Sequence, residues 1–189
     1  MNNLFVYLEL QDESRVAEVS LELLTKGRAL AGELGCELEA VAVGAGLDGV
    51  AEQVFPYGVD VLHLFDSEAL YPYTTLPHAA VLTKLFEEEQ PQIALLGATA
   101  IGRDLGPRVS SALHGGLTAD CTGLTIGSYT DEKSGKHYED VLLQRLPAFG
   151  GNIVAIIIVF IILTLMLLQM FNITPRSMIK AAKSNNGKK

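Results

Sequence analysis

The sequence predicts an α/β fold: a mostly parallel sheet with helices on both faces, an appended β-hairpin, and an apolar C-terminal segment. Three observations carry this expectation. Short apolar runs recur without strict polar alternation, as strands buried on both faces require. Between them stand stretches with three-, four- and seven-residue hydrophobic spacing, the period of a helix face. After His114 the texture changes to two β-rich stretches around a polar turn. The chain has 189 residues, 49% of them hydrophobic, enough to bury the core of one domain of moderate size.

The elements follow in order. "LFVYL" (Leu4–Leu8) is the first strand. Val16, Val19, Leu23, Leu30 and Leu34 then mark one face of a helix running to about Gly35, a residue type that stops helices. "LEAVAV" (Leu38–Val43) is a second strand, closed by "GAG". A short helix over about Leu47–Phe55 leads through Pro56 and Gly58 to a third strand, "VDVLHLF" (Val59–Phe65). Pro77–Gln90 reads as a helix, with Pro77 tolerated in its first turn. "QIALLG" (Gln92–Gly97) is a strand, and a helix follows over about Asp104–Leu113. "LTADCTGLTIGSY", the turn "DEKSGK" (Asp131–Lys136) and "YEDVLLQRL" then form the hairpin. No internal repeat is visible.

Charge is unevenly spread. Residues 1–150 hold all 22 acids and nine of the 14 Lys/Arg, a net −13, whereas residues 151–189 hold five bases and no acid, a net +5. The acidic body argues against nucleic acid as a partner, because phosphate contacts need clustered Lys/Arg. No charged n-region followed by a short apolar h-region opens the chain, so no secretory signal and a cytoplasmic location are expected. Cys36 and Cys121 make no zinc or redox spacing and are expected to be reduced core residues.

"GATAIGRDLGPR" (Gly97–Arg108) has the order strand, glycine loop, helix, in which helix amides hold phosphate. Gly97 and Gly102 even have the Walker spacing. Arg103-Asp104 stands where a Lys-Ser/Thr pair would meet phosphate and Mg²⁺, and GxGxxG does not occur. Asp104 is instead expected as the helix N-cap, taking the amides an anion would need, with Gly106 and Pro107 in the first turn. The plain expectation is a capped helix with Arg103 and Arg108 paired to nearby acids.

Other candidates carry little chemistry. His63 lies in an apolar strand, where a core histidine is the simpler reading. His78, His114 and His137 have no metal spacing. Ser110, Ser111 and His114 share a helix end without a nucleophile elbow. Glu87–Glu89 reads as a solvated helix end, and Phe65, Tyr71 and Tyr73 as core and loop packing.

"LLGATAIGRDLGPRVSSALHGGLTADCTGL", "PAFGGNIVA" (Pro147–Ala155) and "VSLELLTKGRALAGELG" resemble the α subunit of electron transfer flavoproteins, particularly of anaerobic bacteria. The resemblance covers about residues 1–155 and implies the first α domain, with an adenine-nucleotide hydrolase-like fold. That domain is expected to act as a scaffold that packs against the electron transfer flavoprotein β subunit. In the β subunit the loop matching Gly97–Pro107 binds AMP or a second flavin. Here Gly97, Gly102, Arg103 and Asp104 are expected to form a vestigial version of it. Arg103, Thr118 and Asp120 are the expected interface residues. FAD is held chiefly by the second α domain, which is expected to be missing here, so no bound cofactor is expected. The intact dimer carries electrons from acyl-CoA-type dehydrogenases to a downstream acceptor; the chain is expected to be an electron-carrier subunit and not an enzyme. One departure stands out: "QRLPAFGGN" has Leu146 where the family pattern has arginine, with Arg145 shifted by one.

After Ala155 the resemblance stops, and residues 156–189 are expected to form a separate apolar and basic tail. "IVAIIIVFIILTLMLLQMF" (Ile153–Phe171) is apolar except for Thr164 and Gln169. As a helix of about 1.5 Å per residue it would nearly cross a bilayer's roughly 30 Å core, with Arg176 and four lysines beyond. Membrane association through this segment is therefore an expectation. Against it, the family uses "GGNIVA" and the following residues as a buried strand, so domain and membrane helix compete for the same residues. A tail of this kind also resembles a shifted reading frame. The alternative function is a membrane-tethered nucleotide-binding module that uses the Gly97–Pro107 loop.

Overall fold

The computed structural model describes residues 3–12, 14–132, 135–145 and 155–159. The elements are β1 (Leu4–Leu8), α1 (Glu18–Leu34), β2 (Leu38–Gly44), α2 (Val50–Val54), β3 (Val61–Asp66), α3 (Thr75–Glu89), β4 (Ile93–Gly97), α4 (Ala100–Ala112), β5 (Gly116–Cys121), β6 (Gly123–Thr130), β7 (His137–Arg145) and β8 (Ala155–Val159). Six strands form one sheet in the order β3-β2-β1-β4-β8-β5. β3, β2, β1 and β4 run parallel to one another, and β8 lies antiparallel between β4 and β5.

The alternation along β1 explains why its sequence shows no polar face. Leu4, Val6 and Leu8 point into one core with Leu23, Leu24, Leu30 and Ala31 of α1. Phe5 and Tyr7 point into the other, with Ala79, Leu82 and Phe86 of α3 and Leu105 and Val109 of α4. Both faces are buried, so every residue of β1 is buried. Gly35 ends α1 in the left-handed conformation at φ 65°, as its residue type suggested. Cys121 is buried in the first core, while Cys36 is only half-buried against it; both are free thiols.

Three sequence expectations need correction. The stretch after His114 is not one hairpin arm. β5 joins the main sheet through β8, and only β6 and β7 pair as the two-stranded hairpin. The break follows a register shift between Thr118 and Cys121, where Asp120 takes φ 61°.

The helix after β4 starts at Ala100, not Asp104. Thr99 is its N-cap, in extended conformation, with its side chain accepting a hydrogen bond from the Gly102 amide at 3.1 Å. A small hydroxyl residue just past the strand caps the helix five residues before Asp104 could. Pro107 therefore lies inside α4 and cannot donate to the carbonyl of Arg103.

The apolar C-terminal segment is corrected most. Ala155–Val159 is an extended strand, paired with β4 from Gly97↔Ala155 to Ile93↔Val159 and with β5 on its other side. The pairing between two strands satisfies its backbone within the sheet, and a β-branched isoleucine run suits that position. Among the described residues no helix is long and apolar enough to cross a membrane. The membrane-spanning reading of Ile153–Phe171, and the membrane association built on it, lose their basis. Hydrophobicity alone could not separate a strand buried in a sheet from a membrane helix. Residues 153–154 and 160–171 lie outside the described residues.

Candidate functional site

After β1 the chain builds outward through β2 and β3, then returns to the opposite side of β1 to lay down β4. Open parallel sheets of this kind take ligands at such a reversal, beyond the carboxyl ends of the two strands. Glu9 follows β1 there, and Gly97, Ala98 and Thr99 lead from β4 into α4.

Glu9 fills this crevice. Its residue is only 6% exposed. The Thr99 hydroxyl lies 2.7 Å and 2.8 Å from its two carboxylate oxygens and donates to them. The Glu9 amide donates to Ser20 Oγ at 2.8 Å and its carbonyl accepts from the Ala17 amide at 2.8 Å, which ties it to the head of α1. Burial pushes the Glu9 carboxyl above the usual carboxylate range, against the smaller downward pull of the Thr99 hydrogen bond.

The glycines of the loop serve close packing. A Cβ on Gly102 would fall 1.9 Å from the Gly97 carbonyl oxygen, and one on Gly97 would fall 2.7 Å from Glu9 Oε1. The space beside these two glycines is therefore held by protein atoms, one of them a carboxylate oxygen. These residues do not fit a nucleotide phosphate or the pyrophosphate of FAD. A second hollow, of about 450 Å³, lies beside α1 and the start of β6 and is lined by Leu23, Lys26, Cys121, Leu124 and Arg145 among others. Among the described residues its lining holds no aromatic side chain on which a flavin ring could stack.

Of the sequence-predicted residues, the fold brings Arg103 and Asp120 together. Arg103 Nη1 donates to Asp120 Oδ2 at 3.1 Å, and Nη2 stands 2.6 Å from Oδ1. Thr118 lies in β5 opposite Ile157, apart from that pair in register. Asp104 accepts from the hydroxyls of Thr75 and Tyr73, the latter at 2.8 Å. Those two hydrogen bonds hold its carboxyl below the usual range. Tyr73, pushed up to about 12 chiefly by burial, also sets its ring 4.8 Å from that of His78.

His63 and His78 are held in structural contacts. His63 Nε2 is 2.5 Å from Glu39 Oε2, and its ring stacks on Phe5 at 5.4 Å. His78 accepts from the Tyr7 hydroxyl at Nδ1 and donates from Nε2 to the Leu70 carbonyl, each at 3.0 Å. Burial lowers the His78 pKa, in keeping with a neutral ring. Among the described residues no group of three His, Cys, Asp or Glu side chains could hold a metal.

A family model described as the electron transfer flavoprotein domain matches residues 4–189. The chain belongs to the electron transfer flavoprotein domain family. Its electron transfer flavoprotein relatives include the subunit alpha of Thermoanaerobacterium thermosaccharolyticum, 38% identical over 155 residues, which are 82% of this chain and 44% of that relative. The subunit alpha of Clostridium acetobutylicum is 40% identical over 148 residues, 78% of this chain and 41% of the relative. The acryloyl-CoA reductase electron transfer subunit beta of Anaerotignum propionicum is 38% identical over 169 residues, 82% of this chain and 46% of the relative. The chain thus spans less than half the length of each of these relatives.

Sequence reasoning missed Glu9 and Thr99. A signal for Glu9 exists: an acid placed directly after a fully apolar first strand, at the end where these sheets bind ligands. For Thr99 the signal is a small hydroxyl residue between a strand and a helical stretch. Neither says that the two side chains meet.

Proposed function

We propose that this chain is the N-terminal part of an electron transfer flavoprotein α subunit, acting as a scaffold and partner-binding module in a flavin electron carrier. The observation that supports this most directly is the ligand crevice filled by Glu9, in a chain similar to less than half of its α-subunit relatives. A domain of this fold that puts a protein carboxylate into its own ligand crevice is left with its surfaces for partner binding. The redox chemistry would come from FAD held elsewhere in the intact subunit. The partner is an electron transfer flavoprotein β subunit, and acyl-CoA-type dehydrogenases would meet the assembled dimer. Arg103, Thr118 and Asp120 are the residues proposed to face that assembly, with Gly97, Gly102, Arg103 and Asp104 as a vestigial nucleotide loop turned to structural use.

Co-expression with an electron transfer flavoprotein β subunit, followed by size-exclusion chromatography with light scattering, tests the reading. A one-to-one complex is expected. Separate elution of the two chains, each folded by circular dichroism, would overturn it.

A further inference from the structure

We infer that Glu9 is the residue that closes this fold to phosphate: its carboxylate is an internal anion standing where a phosphomonoester would sit at the head of α4. The inference goes beyond the partner-binding reading and does not depend on it.

The place is the first argument. Glu9 lies at the reversal between β1 and β4, beside a helix of 13 residues whose first amides have no acceptor within the helix. The partial positive charge of that end favours an anion. A carboxyl group already stands there, and it belongs to the chain. Thr99, the residue that caps α4, gives its hydroxyl to Glu9 and accepts from the Gly102 amide with the same oxygen. In an open site that hydroxyl would be free to donate to a phosphate oxygen.

The contacts are the second. Glu9 Oε1 lies 2.7 Å from where a Cβ on Gly97 would stand and 3.6 Å from one on Gly102, so the carboxylate presses on the glycine backbone a phosphate would approach. The loop keeps two glycines, a hydroxyl cap and a helix start, but it lacks the Lys-Ser/Thr pair of a phosphate loop and has Glu9 beside it.

Charge is the third. A phosphate entering the loop would lie within a few ångströms of a carboxylate that is almost wholly withdrawn from water. At such separations like charges repel strongly and solvent screens them poorly. The loop's guanidinium does not offset this, because Arg103 is turned to Asp120. Burial disfavours the charged form of Glu9 here, and it would disfavour a second negative charge in the same place.

The test is calorimetric titration of the full chain with AMP, and separately with inorganic phosphate, for the wild type, Glu9→Gln and Glu9→Ala. Circular dichroism and thermal melts establish folding in parallel. The wild type is expected to bind neither probe tighter than millimolar. Glu9→Ala, which removes both bulk and charge, is expected to bind AMP roughly tenfold tighter or more. Glu9→Gln, which removes the charge alone, should show a smaller gain. Adding Thr99→Ala to Glu9→Ala should cancel the gain. Competition by inorganic phosphate would assign the gain to the phosphate group; a gain seen only with AMP, and not displaced by phosphate, would overturn the assignment. Folded variants with wild-type affinity would overturn it, as would a wild type that binds AMP at micromolar concentration. Should Glu9→Ala fail to fold, Glu9→Gln decides alone, since it keeps an acceptor for Thr99. Failure here leaves the β-subunit reading standing, because that one rests on co-elution.

Discussion

Arg103 on α4 and Asp120 in the bulge of β5 form a two-point ion pair, with Nη2 2.6 Å from Oδ1 and Nη1 3.1 Å from Oδ2. The pair ties the start of a helix to the irregular edge strand of the sheet. Its side chains are 47% and 37% exposed, so water and salt screen it. A double-mutant cycle with Arg103→Ala and Asp120→Ala should give a coupling of about 1 kcal/mol or less by urea unfolding. The coupling should shrink as salt is added. A coupling of several kcal/mol, insensitive to salt, would mean that the pair is buried in solution.

Capping gives a comparison between two neighbours. Thr99→Ala removes the hydrogen bond to the Gly102 amide and the donor to Glu9, and should cost about 1–2 kcal/mol or more. Asp104→Ala removes only surface hydrogen bonds from Tyr73 and Thr75 and should cost clearly less. Denaturant midpoints of the two variants settle the order. The reverse ranking would restore Asp104 as the cap.

Two glycine substitutions should move stability in opposite directions. Gly102→Ala places a methyl 1.9 Å from the backbone oxygen of Gly97, which no side-chain rotation relieves. It should cost about 3 kcal/mol or prevent folding. Gly32→Ala, within α1 with nothing inside 4 Å, should instead stabilise by up to about 1 kcal/mol. Melting temperatures of the two proteins are the readout, and equal shifts would show that the Gly97–Gly102 contact yields.

The pH dependence of Glu9→Gln has a definite sign. A carboxyl raised by burial contributes its stability below the unfolded pKa, and loses it as pH rises through the folded one. Glutamine cannot ionise, so Glu9→Gln should be the more stable protein at neutral pH. The advantage should fade through mild acid and vanish below the ordinary carboxylate range. Asp60, lowered first by the Leu38 amide, and Asp104, lowered by Thr75 and Tyr73, act the other way. Their contribution holds above the ordinary carboxylate pKa and is lost as pH falls through their lower folded values. Because both proteins share those groups, the difference between the two profiles isolates Glu9. Parallel profiles between about pH 4 and 8 would show that Glu9 feels no burial.

By itself the sequence determined the α/β class, the limits of β1, the extent of α1 to Gly35 and the glycine loop between β4 and α4. These are local facts: the period of apolar residues and the residue types at chain turns report burial and capping over a few positions. The departures at Arg103-Asp104 were equally legible, because a phosphate loop demands particular side chains at fixed spacing. Only the tertiary structure decided that Ala155–Val159 is a strand between β4 and β5, that Thr99 caps α4, and that Glu9 occupies the crevice. The hydrogen bond from Thr99 to Glu9 joins residues 90 apart, and the pairing of Gly97 with Ala155 joins the end of β4 to a strand formed much later in the chain. An isoleucine run has the same composition in a sheet or in a lipid helix, and a glutamate after a strand has the same letter whether it faces water or a helix end. What separates these outcomes is which backbone edge and which helix terminus the fold brings alongside.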